Sequence, residues 1–180
     1  MADAYRFKDQ YAAYFITLTV IDWVDIFTRK EYKDITIDSL KYCIEHKGLN
    51  VHEFVIMSNH LHAIVSSNKE PLSNIIRDFK KFTAKRIIEA IQSINESRRE
   101  WLLNKFGYAG NRNSNNTTYQ VWKQDYHAVE IANTKMLEQR TEYIHENPVR
   151  AGIVEHAEDY VYSSARFYYN KKCLIELACT

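Results

Sequence analysis

The sequence predicts an α+β fold, a ferredoxin-like antiparallel sheet with helices packed on one face. Three observations predict it. The segments run strand, helix, hairpin, helix, strand, helix along the chain. The strand segments are short, rich in β-branched and aromatic residues, and bounded by turn chemistry. The helical segments repeat their apolar residues at helical spacing, so each has one side to bury. The 180 residues read as a single domain, 1–180, with a core over about 12–165 and a C-terminal tail.

Each element has its own justification. Tyr14 to Ile21 (YFITLTVI) reads as a buried strand, and Asp22 to Lys30 as a connection. Asp34 is placed to cap a helix running to about Lys47, with Ile37, Leu40 and Ile44 on one face and Gly48 beyond its end. Val51 to Met57 and His60 to Ser66 are strands on either side of Ser58-Asn59, so they form a hairpin. Pro71 opens a long helix with Leu72, Ile75, Ile76, Phe79, Phe82, Ile87, Ala90, Ile91 and Ile94 at helical spacing. A second helical piece follows over about Glu96 to Phe106. Gly107 to Thr118 (GYAGNRNSNNTT) has no apolar period and reads as a loop. Tyr119 to Trp122 and Ala128 to Ile131 are short strand candidates. Asn133 or Thr134 caps a last helix, which Pro148 ends within a residue or so. The aromatic stretch Asp159 to Tyr169 is expected to fold back on the body.

Composition sets limits on function. Cys43, Cys173 and Cys179 are an odd number without CxxC spacing, which argues for reduced thiols in a cytosolic protein and against a disulfide framework or zinc ribbon. Met1 to Arg6 holds no apolar signal core, and no stretch is long enough to span a membrane. The formal net charge of +1 neither requires nor forbids a nucleic-acid partner, because a local basic face suffices.

The chemistry starts at His60-Leu61-His62. Histidines two apart in a strand share a face, and two imidazoles on one face can hold a divalent metal with positions left open. Alone, the pattern is more often that of a satisfied surface or core pair. A second segment, Tyr143-Ile144-His145-Glu146-Asn147-Pro148-Val149-Arg150-Ala151-Gly152, adds to it. Tyr143 and Asn147 are one helical turn apart and share a face. An amide oxygen is a hard ligand suited to magnesium or manganese, and a phenol is a nucleophile that would leave a phosphotyrosine with a phosphodiester.

SNHLHAIV matches the HUH motif, two histidines around a hydrophobic residue, and TEYIHENPVRAGIV matches a nucleophile helix and its exit. With the trailing EDYVYSSA, the chain resembles the single-tyrosine HUH transposases, most of all the REP-associated tyrosine transposases, over roughly Tyr14 to Ala165. The resemblance implies an enzyme that cuts one DNA strand and rejoins it through a 5′-phosphotyrosine. It implies Tyr143 as nucleophile and His60, His62 and Asn147 as ligands of Mg2+ or Mn2+. It further implies a single-stranded or hairpin (REP-like) DNA partner, action at the bacterial nucleoid, and either a monomer or a homodimer. His145 departs from the pattern; it points away from the Tyr143 face and reads as structural or DNA-facing.

Arg77, Lys80, Lys81 and Lys85 share one face of the long helix and are candidates to contact phosphates, though a charge run on a helix is also what a solvated face looks like. Arg98, Arg99, Arg112 and Lys123 are weaker candidates. Trp122 and Tyr126 could stack unpaired bases or belong to the core. Three rival readings compete with the transposase: a metal-dependent hydrolase using only the histidine pair, a domesticated hairpin-binding protein that does not cut, and an HUH replication initiator or relaxase. The last commonly has a longer histidine cluster, which is missing after His62.

Overall fold

The computed structural model describes residues 7–112 and 118–178. Its main elements are β1 (Tyr14–Thr19), α1 (Lys30–Lys47), β2 (Leu49–Ile56), β3 (His60–Ser67), α2 (Leu72–Ser93), α3 (Arg99–Asn111), β4 (His127–Glu130) and α4 (Thr134–Arg150), with a short helix α5 (Ala165–Tyr168) in the tail. The strands form one sheet in the order β2-β3-β1-β4, each neighbour antiparallel. This order arises when each helix carries the chain over one strand position, the βαββαβ arrangement of a ferredoxin-like sheet. The expected α+β class is therefore the observed one.

The sheet register fixes what each face carries. His62 pairs with Thr17 on β1 and Val55 on β2, and Ile64 pairs with Phe15 and Glu53. Paired residues point to the same side, so Phe15, Thr17, Glu53, Val55, His60 and His62 lie on one face. Ile16, Leu18, Phe54, Ile56, Leu61, Ala63 and Val65 lie on the other and are fully buried. α1 and α2 pack together and add Ile37, Leu40, Ile75, Ile76 and Phe79 to the same core. They are the helical layer that the sequence anticipated. α4 lies against β2 and β3.

Several boundaries differ from expectation for physical reasons. α1 begins at Lys30, not at Asp34. Tyr32, fully buried, pins the earlier start by donating to the buried Glu96 at 2.9 Å. Asp34 instead accepts from Tyr162 at 2.8 Å. The expected loop at Gly107–Thr118 is helical as far as Asn111; 113–117 lie outside the described residues. Gly110 there serves close packing rather than a turn. A Cβ on Gly110 would stand 2.5 Å from the Thr118 carbonyl oxygen, and Gln120 N–H donates to Phe106 O at 2.9 Å. The strand expected at Tyr119–Trp122 is reduced to a single bridge from Trp122 to Val20. Phe82, placed on the apolar stripe of α2, is 55% exposed.

Asn133 caps α4 by accepting from Met136 N–H, as expected. Pro148 does not end the helix, which continues to Arg150. The stop is Gly152, at φ +68°. Gly152 N–H donates to Val149 O and Ile153 N–H to Pro148 O, both at 2.9 Å, the paired bonds of a Schellman closure, which favours glycine at this left-handed position. The tail folds back as expected. Ile56 N–H donates to Tyr162 O at 3.0 Å and Ser164 N–H to Phe54 O at 2.9 Å, so the tail runs along the outer edge of β2.

Candidate active site

α4 meets the histidine face along a narrow contact. Ile144 and Pro148, four apart, are its buried residues. Tyr143 and Asn147 lie on one flank of that line and His145 on the other. The Tyr143 ring stands 5.2 Å from the His62 ring and 6.0 Å from Phe15, edge-on to both. The His60 and His62 rings are 4.5 Å apart. Two strand residues and one helix residue, about eighty positions apart in sequence, are thereby brought together. Asn147 is half-buried one turn beyond Tyr143, and no hydrogen bond joins its amide to the imidazoles among the described residues. Nor do those residues contain a cluster of three or more His, Cys, Asp or Glu side chains that could hold a metal ion.

Burial and a partner on Nδ1 favour the neutral form of both imidazoles. Asn59 Nδ2 donates to Trp23 O at 3.3 Å, which turns Asn59 Oδ1 toward His60 Nδ1 at 2.6 Å. An amide oxygen only accepts, so His60 carries its proton on Nδ1 and keeps the Nε2 lone pair. His62 Nδ1 lies 2.8 Å from Thr17 Oγ1, a hydroxyl able to accept in the same sense. Burial pushes His62 down to about 3, helped by the nearby His60, Arg140 and His127. Burial lowers His60 as well. Neutral imidazoles with free Nε2 atoms, each held by a partner on Nδ1, are the usual form of a histidine metal ligand, so the donor set fits a divalent ion. The pair is incomplete by itself, and the amide of Asn147 shares the Tyr143 side of α4.

Two cations border the site. The Arg150 guanidinium lies 5.4 Å from the centre of the Tyr143 ring, and the Arg140 guanidinium 4.8 Å from that of Phe15. Sequence reading passed over both. The signal was present: Arg140, Tyr143, Asn147 and Arg150 are spaced by three, four and three residues, one face of a helix. Asn59 and Thr17 carried no such signal, since their roles depend on the turn and on strand pairing.

The chain matches the family model of IS200-like transposases over residues 10–109. It belongs to the IS200-like transposase family. The matched stretch contains His60 and His62 and stops short of α4. Among solved structures, the transposase is similar to a REP-associated tyrosine transposase bound to a REP hairpin, with 16% identity and a TM-score of 0.65, covering 99% of this chain and 93% of that one. It is also similar to a putative transposase from Deinococcus radiodurans, with 15% identity and a TM-score of 0.48, covering 79% and 94% of the two chains. No curated protein matches it. Among the described residues of the transposase, no helix is long and apolar enough to cross a membrane.

The remaining sequence candidates separate. Arg77, Lys81 and Lys85 line an open groove of about 840 Å³ between α2 and the segment 118–126, together with Lys123. Lys80 also reaches it, but its ammonium donates to the backbone oxygens of Lys123 at 2.6 Å and Gln124 at 2.8 Å, and burial pushes it down to about 8. Arg98 and Arg99 serve the fold. Arg98 pairs with Asp25 at 2.7 Å, and Arg99 donates to Ile94 O at 2.6 Å. Trp122 is core, with its indole N–H on Thr83 at 2.9 Å. Tyr126 stacks on Phe7 at 5.1 Å. His145 is structural. Its Nε2 lies 2.8 Å from Glu53 Oε2, a carboxylate that is 3% exposed and also accepts from Ser164 Oγ at 2.6 Å and from the Tyr168 hydroxyl.

Proposed function

We propose that this transposase cleaves and rejoins single-stranded DNA through a covalent bond to Tyr143. The observation that carries this reading is the Tyr143 ring 5.2 Å from His62, on the face where His60 and His62 stand together. The phenol oxygen attacks the scissile phosphorus and forms a P–O bond as the P–O3′ bond breaks. The 5′ phosphate remains on the tyrosine. The 3′ oxygen leaves as a hydroxyl, gaining a proton that balances the one the phenol releases. Rejoining is the reverse attack, so no external energy source is consumed.

This chain's residues divide the work. Arg150 beside the Tyr143 ring and Arg140 beside Phe15 place positive charge near the site where charge builds on the phosphoryl oxygens. Thr17 and Asn59 hold the imidazoles in one orientation. A magnesium or manganese ion, held by His60, His62 and the Asn147 amide, would supply Lewis-acid polarisation of the phosphate. Glu53 grips His145 and so fixes the rotation of α4 that presents Tyr143. The histidines and the tyrosine meet within one chain, which supports a tyrosine acting beside its own histidines.

The groove between α2 and segment 118–126 suits a DNA hairpin. Arg77, Lys81, Lys85 and Lys123 would contact phosphates and give salt-dependent affinity without sequence choice. The related transposase solved with a REP hairpin supports that class of ligand. The test is strand cleavage of hairpins with single-stranded flanks, in manganese, by the wild type and Tyr143→Phe. Loss of cleavage with retained binding supports the reading. Cleavage that survives in Tyr143→Phe points instead to a hydrolase built on the histidine pair, and binding without cleavage by the wild type points to a non-cutting hairpin binder.

A further inference from the structure

Trp23 is the feature that neither the core nor the proposed chemistry explains. It is 58% exposed, whereas Trp122 is 3% exposed. Its backbone is left-handed, at φ +56°, and so is that of Asp22 before it, at φ +50°. That conformation is disfavoured for a residue with a Cβ and most for a bulky one, and burial of the indole does not offset it.

The turn is nonetheless fixed. Trp23 N–H donates to Val20 O at 3.2 Å, and Val20 N–H donates to Asn59 O at 2.9 Å. Trp23 O receives the Asn59 side-chain amide that sets His60. The turn is thus clamped to the hairpin that carries the histidines. The indole itself sits between two functional groups. His60 meets it edge-on at 6.3 Å, and the Lys123 ammonium lies 4.4 Å from the ring centre. Lys123 also lines the basic groove. A continuous track therefore leads from the groove through Lys123 and Trp23 to His60, His62 and Tyr143.

We infer that Trp23 is a stacking platform for an unpaired nucleobase next to the scissile phosphate. This rests on the proposed reaction and adds to it the residue that sets where the strand enters. A strand leaving a duplex stem in the groove must lose its pairing before it reaches the histidines. An exposed indole stacks a base of any sequence, and an ammonium beside it can bind the adjoining phosphate. With one base stacked on Trp23, the neighbouring phosphate is delivered to the metal face.

The test uses Tyr143→Phe protein, so that no strand is cut, with Trp23 intact or changed to Ala, Asn or Phe. The probe is a G·C-stem DNA hairpin carrying an oligo-dT flank with 2-aminopurine at successive positions, on the 5′ or the 3′ side; the same hairpin without a flank is the control. Stacking on Trp23 quenches the fluorescence at one or two flank positions. Trp23→Ala removes that quenching and weakens flanked-hairpin binding about tenfold, while Trp23→Phe keeps most of both and binding of the flankless hairpin is unchanged. Trp23→Asn tolerates the left-handed backbone without an aromatic ring and behaves like the alanine variant, which separates lost stacking from a collapsed turn. Unchanged quenching in Trp23→Ala and Trp23→Asn overturns the inference, as does equal weakening of both hairpins. Hairpin binding with no quenching at any flank position overturns stacking alone, whereas no binding of either hairpin overturns the proposed function with it.

Discussion

Replacing Glu53 with alanine should loosen the helix that carries Tyr143. The Glu53 carboxylate is 3% exposed and receives His145 Nε2 at 2.8 Å, Ser164 Oγ at 2.6 Å and the Tyr168 hydroxyl. Removing a buried acceptor strands the donors that bonded to it, at about 1–3 kcal/mol for each donor left unsatisfied. Tyr168 is 55% exposed and can turn to water, and the His145 side chain is 15% exposed, so His145 and Ser164 are the donors stranded, and about 3 kcal/mol in all is the expected loss. For a chain of this size each kcal/mol lowers the melting temperature by roughly 2–4 °C, giving a drop of about 10 °C. Thermal and urea denaturation followed by circular dichroism measure it. The alanine variant should also form the Tyr143 adduct more slowly at temperatures where it remains folded, because α4 is then held against the sheet mainly by Ile144 and Pro148. A stability loss below about 1 kcal/mol, with an unchanged adduct rate, would refute the idea that this carboxylate positions α4.

Three further outcomes follow from the same structure. Burial holds His62 near 3 in the folded protein against roughly 6.5 in the unfolded chain. The unfolded state therefore takes up the extra proton, and the stability of the metal-free protein falls as pH drops from about 6.5 toward 3, by up to ~1.4 kcal/mol per pH unit; denaturation in EDTA across that range should show this slope, and His62→Phe should flatten it. The double change Lys81→Ala and Lys85→Ala should lower the slope of log affinity for hairpin DNA against log salt by about 2, measured by fluorescence anisotropy; an unchanged slope would place the DNA outside the groove. Asn133→Ala removes the cap that accepts Met136 N–H and should cost about 1 kcal/mol in urea denaturation.

The legible parts of this fold were those governed by local chemistry. The hairpin of β2 and β3, the cap at Asn133, the closure at Gly48 and the two-residue period that puts His60 and His62 together can all be read from neighbouring residues. The spacing of Tyr143 and Asn147 was readable for the same reason. What could not be read depends on contacts between distant segments. Tyr32 starts α1 early because Glu96, 64 residues away, receives its hydroxyl. Gly107 and Gly110 look like loop residues until the segment around Thr118 and Tyr119 packs against them. Pro148 looks like a terminator, yet the proline lacks only one helical bond and the paired closure at Gly152 ends the helix two residues later. His145 looks free to face DNA until β2 presents Glu53. Trp122, which could stack bases or belong to the core, is core, whereas Trp23, in a connecting turn to which the sequence assigns no role, is the exposed ring beside His60.

The central claim is that Tyr143 forms the covalent bond to DNA beside the histidine pair. The most direct measurement is peptide mass spectrometry of the protein after incubation with flanked hairpin DNA and manganese. The expected result is one tryptic peptide carrying a nucleotide 5′ phosphate on Tyr143, missing in Tyr143→Phe and strongly reduced in His62→Ala. Cleaved DNA with no adduct, or an adduct on a different residue, would contradict the account.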